Sequence, residues 1–166
     1  MSGEVLIRTF YEAFQRKDWK TMQQCYDDAV VFSDPVFPRL EGPEAKAMWH
    51  MLTTSAVDLV VECRNISVSG NRGSCDWDAR YTFSRTGRPV HNRIHAEFEI
   101  ADGKIAKHTD TFPLGRWAGM ALGLPGTLFG WTPWMQGKIR GMAAAGLKRF
   151  REAHPEYGVA KIGPTA

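Results

Sequence analysis

The hydrophobic period of the chain changes twice. Across residues 5–16, Leu6, Phe10, Ala13 and Phe14 recur at helical spacing, which predicts an amphipathic helix. Asp18 has the chemistry of an N-cap for a second helix, with Trp19, Met22 and Tyr26 on its buried side. Residues 27–32 read as a short strand, and Gly42-Pro43-Glu44 opens a third helix carrying Ala47, Met48, Met51 and Leu52. Over residues 55–68 the period becomes two, with Leu59, Val61 and Cys63 alternating against Val60, Glu62 and Arg64. The phase slips near Asn65, to Ile66 and Val68, which predicts a β-bulge. Gly70-Asn71-Arg72-Gly73 is a hairpin turn. In the next strand Cys75, Trp77, Ala79, Tyr81 and Phe83 share one face, and Asp76, Asp78, Arg80 and Thr82 share the other. Thr86-Gly87-Arg88-Pro89 leads into a strand with Ile94, Ala96, Phe98 and Ile100 opposite His95, Glu97 and Glu99. Asp102-Gly103 is a two-residue hairpin signal, and a last strand covers residues 104–112.

After Pro113 the helical period returns, in short pieces over 117–122 and 127–131 and a longer helix over 133–154. The long helix bears Ile139, Met142, Leu147 and Phe150, together with Lys138, Arg140, Lys148, Arg149 and Arg151; His154-Pro155 ends it. The order predicts an α+β fold: three N-terminal helices packed in the concave face of a curved, mostly antiparallel sheet, a cone-shaped α+β barrel, with a C-terminal helical extension. Residues 1–115 form the cone domain, 116–154 an extension on the domain or on a dimer partner, and 155–166 a loose tail.

Composition narrows the class. At 166 residues, 43% hydrophobic and 23% charged, the chain is one folded domain rather than a disordered segment. A net charge of +3 is too small to imply nucleic acid without a clustered basic face. Cys25, Cys63 and Cys75 are odd in number and lack metal-ligand spacing, so reduced thiols and a cytoplasmic location are expected, with no metal. The N-terminus lacks the charged start, apolar core and cleavage site of a signal peptide. The uncharged stretch 117–135 approaches the length of a membrane span. Gly119, Gly123, Pro125, Gly126, Gly130 and Pro133 interrupt it, so it reads as broken amphipathic pieces. Phosphate-binding glycine loops and a Gly-x-Ser-x-Gly elbow are absent, and walls of Phe, Trp and Met suit an apolar small molecule better than a nucleotide.

Three residues stand out chemically. Asp34 lies among Val31, Phe32, Val36 and Phe37, and Pro35 holds it extended. A carboxylate buried there without a partner is costly, so its pKa rises and it becomes a proton acceptor near neutrality. The alternative is an Asp-Pro turn in which the side chain bonds its own backbone. His108 and Asp110 are two apart and share a strand face with Phe112. If Phe112 points inward, they form a proton-transfer couple; otherwise they are solvated or a structural ion pair at a dimer interface. His50 reads as a rim histidine, and His91 and His95 as a solvated or subunit-facing surface. Asp76, Asp78 and Arg80 could activate a water for epoxide opening, but they lie opposite the apolar face of their strand.

Phe10-Tyr11-Glu12-Ala13-Phe14, Lys17-Asp18-Trp19, Tyr26-Asp27-Asp28-Ala29-Val30, Asp34-Pro35-Val36, Glu41-Gly42-Pro43-Glu44-Ala45 and Asp102-Gly103-Lys104-Ile105 together resemble the nuclear transport factor 2-like superfamily. Within it the chain is similar to the SnoaL-like and ketosteroid-isomerase-like branches over about residues 4–115. The resemblance implies a curved-sheet cone, commonly dimeric through its outer sheet surface. It aligns Asp34 with the isomerases' proton-shuttling Asp, and Asp110 with the cyclases' acid/base Asp, with His108 beside it. The isomerases' two oxyanion donors fall at Phe10 and near Ala96, so both are missing here, each typically worth ~2.7–4 kcal/mol.

The expected function is cofactor-independent proton transfer, as an isomerase or aldol-type cyclase, on a small hydrophobic carbonyl-type molecule. Asp34, His108 and Asp110 are the candidate catalytic residues, and Phe10, Phe14, Trp49, Trp77, Tyr81, Ala96, Phe98 and Phe112 the candidate wall. The alternatives are a non-catalytic binding module and a protein that docks on a membrane or partner through Phe129, Trp131, Trp134 and the basic helix. For those aromatics a lid over the pocket or a dimer-stabilising arm is the favoured reading. A homodimer is expected, and no nucleic acid partner.

Overall fold

The computed structural model describes residues 2–158. Three helices come first: α1 (Gly3–Gln15), α2 (Trp19–Cys25) and, after β1 (Tyr26–Ser33) and β2 (Leu40–Glu41), α3 (Pro43–Ser55). Strands β3 (Val60–Ser69), β4 (Arg72–Phe83), β5 (Arg88–Ala101) and β6 (Lys104–Thr111) follow, then α4 (Leu114–Leu122), α5 (Leu124–Phe129), α6 (Pro133–Ala153) and a closing 3-10 turn (Pro155–Tyr157). The six strands form one curved sheet in the order β2-β1-β6-β5-β4-β3. All neighbours are antiparallel except β1 and β6, which run parallel. The sheet is therefore mixed, and it stays open rather than closing into a barrel.

Local chemistry accounts for the joints. The α1 helix ends with Lys17 in the left-handed region (φ 59), and the Asp18 amide donates back to the Ala13 carbonyl at 2.8 Å. Asp18 then caps α2 by accepting from the Thr21 amide at 3.1 Å, so three residues, Arg16 to Asp18, turn the corner. The slip near Asn65 is real: its φ is 54, and the β3–β4 register shifts between Arg64 and Ser67. Asp102 and Gly103 both take positive φ, as a tight primed hairpin turn requires.

Several boundaries differ from the sequence pattern. The β3 strand starts at Val60, not at residue 55. Only Gly70 and Asn71 form the first hairpin turn, since Arg72 and Gly73 already pair with Ser69 and Val68. On β6, Glu99 faces Lys107 while Ile100 faces Ile105, so Ala106 is an inserted residue. That insertion puts Ile105 on the same buried side as His108, where strict alternation would place them apart.

The core lies between the helices and the inner sheet face. The α1 helix buries Leu6, Ile7, Phe10, Ala13 and Phe14; α3 buries Ala45, Met48 and Trp49; β4 to β6 supply Cys75, Trp77, Ile94, Phe98 and Ile105. Each such large apolar side chain stabilises the fold by roughly 1.5–3 kcal/mol. Tyr157, expected in a loose tail, is instead 5% exposed. Its hydroxyl accepts from the Gln23 amide (2.7 Å) and meets His50 Nδ1 (3.0 Å). The Arg151 guanidinium donates to the Tyr157 carbonyl and pairs with Glu44 on α3, which straps α6 to the N-terminal helices. The rest of that tail, residues 159–166, lies outside the described residues. Among the described residues no helix is long and apolar enough to cross a membrane.

Gly42 sets where α3 begins. Its φ of 45 and ψ of −113 suit glycine alone, and a Cβ there would lie 2.7 Å from the Asp28 carbonyl oxygen. Replacing Gly42 with Ala is expected to cost about 1–3 kcal/mol, read as a lower urea midpoint at unchanged slope.

Candidate active site

The site begins with side chains that the β1–β6 pairing brings together. Phe32 on β1 lies beside His108 on β6. The Trp49 indole can only donate, and it gives its N–H to the Tyr26 hydroxyl at 2.8 Å. Tyr26 is then left to donate to His108 Nδ1 at 2.7 Å. That assigns the imidazole hydrogen to Nε2, which donates to Asp110 Oδ1 at 3.0 Å. Trp77 Nε1 donates to the same oxygen at 3.1 Å. The result is a directed chain from Trp49 through Tyr26 and His108 to Asp110, with Trp77 as a second clamp. Asp110 Oδ2 takes no hydrogen bond among the described residues, and Asp110 lines the cavity.

His108 itself does not reach that cavity. It is 0% exposed, ringed by Phe10, Phe32 and Phe98 and stacked on Trp49. As a candidate catalytic residue, His108 therefore cannot touch a substrate in the cavity; it acts only through Asp110. Phe10, Ala96 and Phe98 are likewise packed behind the site, at 0%, 0% and 2% exposure, and do not line the cavity. Phe14, Trp49, Trp77, Tyr81 and Phe112 do.

The cavity holds about 450 Å³ and opens to solvent at one end. Its surface is mostly apolar. The α6 helix forms one wall with Ile139, Met142 and Ala143, and α4 adds Trp117 and Leu122. The wall from the C-terminal extension does not include Phe129, Trp131 or Trp134, which are exposed, so the lid reading of those aromatics is not met. Within the cavity Asn92, 8% exposed, and Tyr81 supply neutral polar groups; the Tyr81 hydroxyl accepts from Trp117 Nε1 at 2.8 Å. Burial raises the Tyr81 pKa, and the charge of Asp34 adds to it.

Asp34 makes the turn that its sequence allows. Its Oδ1 accepts from the Val36 amide at 2.7 Å and from the Phe37 amide at 2.5 Å, which makes the Asp-Pro turn. The same residue, half-buried, lines the cavity. Burial pushes its pKa up to about 7. The Phe37 and Val36 amides and the Arg140 guanidinium work against that rise, and the charge of Asp110 works with it. Arg140 is held nearby by its bond to the Pro35 carbonyl (2.9 Å).

Asp76, Asp78 and Arg80 lie on the outer sheet face, away from the cavity. Asp78 is 5% exposed there. Burial pushes its carboxyl up, but hydrogen bonds from His91 (2.7 Å) and Arg64 (2.9 Å) outweigh that and leave it below the usual range. A water-activating role for this set in the cavity is therefore overturned. His50 is buried under Trp19, stacked at 3.8 Å, rather than on a rim.

Sequence reasoning missed Tyr26 as a relay member and Tyr11, which packs against Trp77. The Tyr11 hydroxyl is buried with no hydrogen-bond partner among the described residues. Burial, then the Asp110 charge, holds its pKa well above the ordinary tyrosine value. The available signal was only that Tyr26 falls on a buried face.

An open cone with carboxylates in an apolar cavity defines a small-molecule binding or catalytic domain. The chain belongs to the SnoaL-like domain family, whose profile matches residues 7–108. Among solved structures it is similar to a candidate polyketide cyclase from Xanthomonas campestris: 23% identity over 70% of this chain and 93% of that one, TM-score 0.58. It is also similar to an NTF2-like protein of unknown function from Burkholderia pseudomallei (17%, 73% and 98%, TM-score 0.63). A third is an LEH-like epoxide hydrolase from M. tuberculosis (20%, 74% and 92%, TM-score 0.59). These likenesses establish the nuclear transport factor 2-like fold. No curated protein matches the sequence.

The raised pKa of Asp34 carries a stability consequence. A carboxyl with a folded-state pKa of about 7 binds its proton more tightly folded than unfolded, so its contribution is full below pH ~4 and is lost as pH rises to about 7. Asp34→Asn keeps the Oδ1 acceptor of the turn and removes the titration. The variant is expected to gain about 1–3 kcal/mol relative to wild type between pH 4 and pH 8, measured by urea unfolding at both.

Proposed function

We propose that the protein is an acid–base catalyst that needs no cofactor, acting on a small apolar molecule with a carbonyl group or an acidic C–H. The observation that carries this is the bonding of Asp110: one oxygen is fixed by His108 and Trp77, and the other is left free at the wall of an apolar cavity. A free carboxylate oxygen held in a water-poor site is a general base in waiting. Asp34, near half protonation at neutral pH, is the complementary acid for a substrate oxygen. Their environments differ in kind, which is how two carboxyl groups divide acid and base roles.

The step is a proton transfer. Asp110 Oδ2 takes the proton from carbon and an enolate forms. Asp34 gives its proton to the developing oxyanion, and the enol then isomerises or attacks an internal carbonyl. Asp110 gives its proton to the new carbon or alkoxide position of the product, and the enol hydroxyl returns its proton to Asp34 as the carbonyl re-forms, so both carboxyl groups end as they began. Phe10 and Ala96 offer no hydrogen-bond donors, so Asp34 and Asn92 bear the oxyanion's charge. His108 is a positioning residue, with Tyr26 and Trp49 fixing its tautomer. A polyketide cyclase and an epoxide hydrolase among the similar folds are in keeping with a small, largely apolar substrate.

Base-catalysed ring opening of 5-nitrobenzisoxazole is a substrate-independent probe of such a carboxylate. Asp110→Asn is expected to lower kcat/KM for the probe about 10²-fold, mainly through kcat. Wild-type rates in both the Asp110→Asn and Asp34→Asn variants would overturn the proposal and leave a binding module. Removing the Asp110 charge also removes a cause of the Asp34 shift. In the Asp110→Asn variant the Asp34 carboxyl carbon, followed by NMR, is expected to titrate below its value of about 7.

A further inference from the structure

The helical hairpin α4–α5 and the start of α6 are built inside out. Ordinary surface helices bury large apolar side chains and expose small or polar ones. In α5 the only buried residue is Gly126. A Cβ on Gly126 would lie 1.9 Å from the Ala118 carbonyl oxygen, and one on Gly130 would lie 2.8 Å from the Ala118 Cβ. These glycines press α5 flat on α4, so its large side chains have no inner side to occupy. Leu124, Leu128 and Phe129 are 77%, 59% and 49% exposed, and Trp131 and Trp134 follow at 71% and 60%. Five large apolar side chains within eleven residues thus face outward from a tightly packed base.

Residues 111–151 contain six basic residues and no acidic one. Arg140 is bound to the Pro35 carbonyl, Arg149 lines the cavity and Arg151 pairs with Glu44, so the cation seen at the apolar face is Lys138. Lys138 sits over the Trp134 ring, 4.2 Å from its centroid. Exposed tryptophan and leucine with a lysine over one indole, on a segment without an acidic residue, match an apolar layer under an anionic headgroup plane. The helices here are too short or too polar to span, which fits lying on a surface.

We propose that this face docks the protein on an anionic lipid membrane, with Leu124, Leu128, Phe129, Trp131 and Trp134 inserted to headgroup depth and Lys138 on lipid phosphate or carboxylate. Binding does not depend on the chemistry in the cavity. The two meet structurally because α4 and α6 carry both this face and a wall of the cavity, through Leu122 and Met142.

The test is flotation of the full chain with phosphatidylcholine vesicles, with and without phosphatidylglycerol. Wild type is expected to float with the anionic vesicles, to blue-shift in tryptophan emission on doing so, and to release at high salt. Leu128→Ser/Trp131→Ser/Trp134→Ser is expected to weaken binding more than ~10-fold, and Lys138→Gln about 5-fold, both with unchanged thermal midpoints. Failure of wild type to float with either vesicle would overturn the proposal. So would vesicle binding that the triple variant retains, or a wild-type dimer in sedimentation velocity that the triple variant converts to monomer. None of these outcomes touches the Asp110 proposal, which is read in solution with the soluble probe.

Discussion

The chain of hydrogen bonds from Trp49 through Tyr26 and His108 to Asp110 holds the interior together chemically as well as sterically. A carboxylate at 4% exposure and an imidazole at 0% are tolerable only because their bonded atoms all have partners. Each link uses a different element: α3 gives Trp49, the start of β1 gives Tyr26, β6 gives His108 and Asp110, and β4 gives Trp77. Loss of any one would strand a polar group in an aromatic core, where an unmet donor or acceptor costs about 1–3 kcal/mol. The sheet, the helices and the cavity are thereby tied to one polar thread.

Much of the fold was legible because the pattern in question is local. Alternation in β4 and β5, the Asp18 cap, the Asp102-Gly103 turn and the slip at Asn65 each rest on a few neighbouring residues, and each is found. What local pattern does not carry is which strands lie side by side. The inserted Ala106 on β6 arises from pairing with β5, and it shifts Ile105 to the inner side against the periodic expectation. Tyr157 was misread for a similar reason. Its partners, Gln23 and His50, come from the other end of the chain.

The candidate site was half legible. Asp34, His108 and Asp110 announce themselves as ionisable residues in apolar company; His108 and Asp110 are buried, and Asp34 is half-buried at the cavity wall. Their ranking needed depth, which the chain does not spell out. His108 proves to be sealed behind Asp110, and Phe10, Ala96 and Phe98 form the backing of the cavity rather than its lining. The opposite wall comes from α6, where Ile139 and Met142 look in sequence like any apolar stripe. Asp34 shows that a turn-former and a titrating group can be one residue, since the turn uses Oδ1 alone.

The parallel docking of β1 against β6 bears on how the molecule is made. The bond between Tyr26 and His108 joins positions 82 apart, and everything between them must be synthesised first. On the ribosome α1, α2 and β1 emerge early, but β1 has only the two-residue β2 beside it until β6 clears the exit tunnel. Hairpins β3–β4 and β4–β5 can close as they appear, because their partners are near in sequence. Assembly should therefore run backwards relative to translation, with one side of β1 waiting open and the acid–base pair completed last.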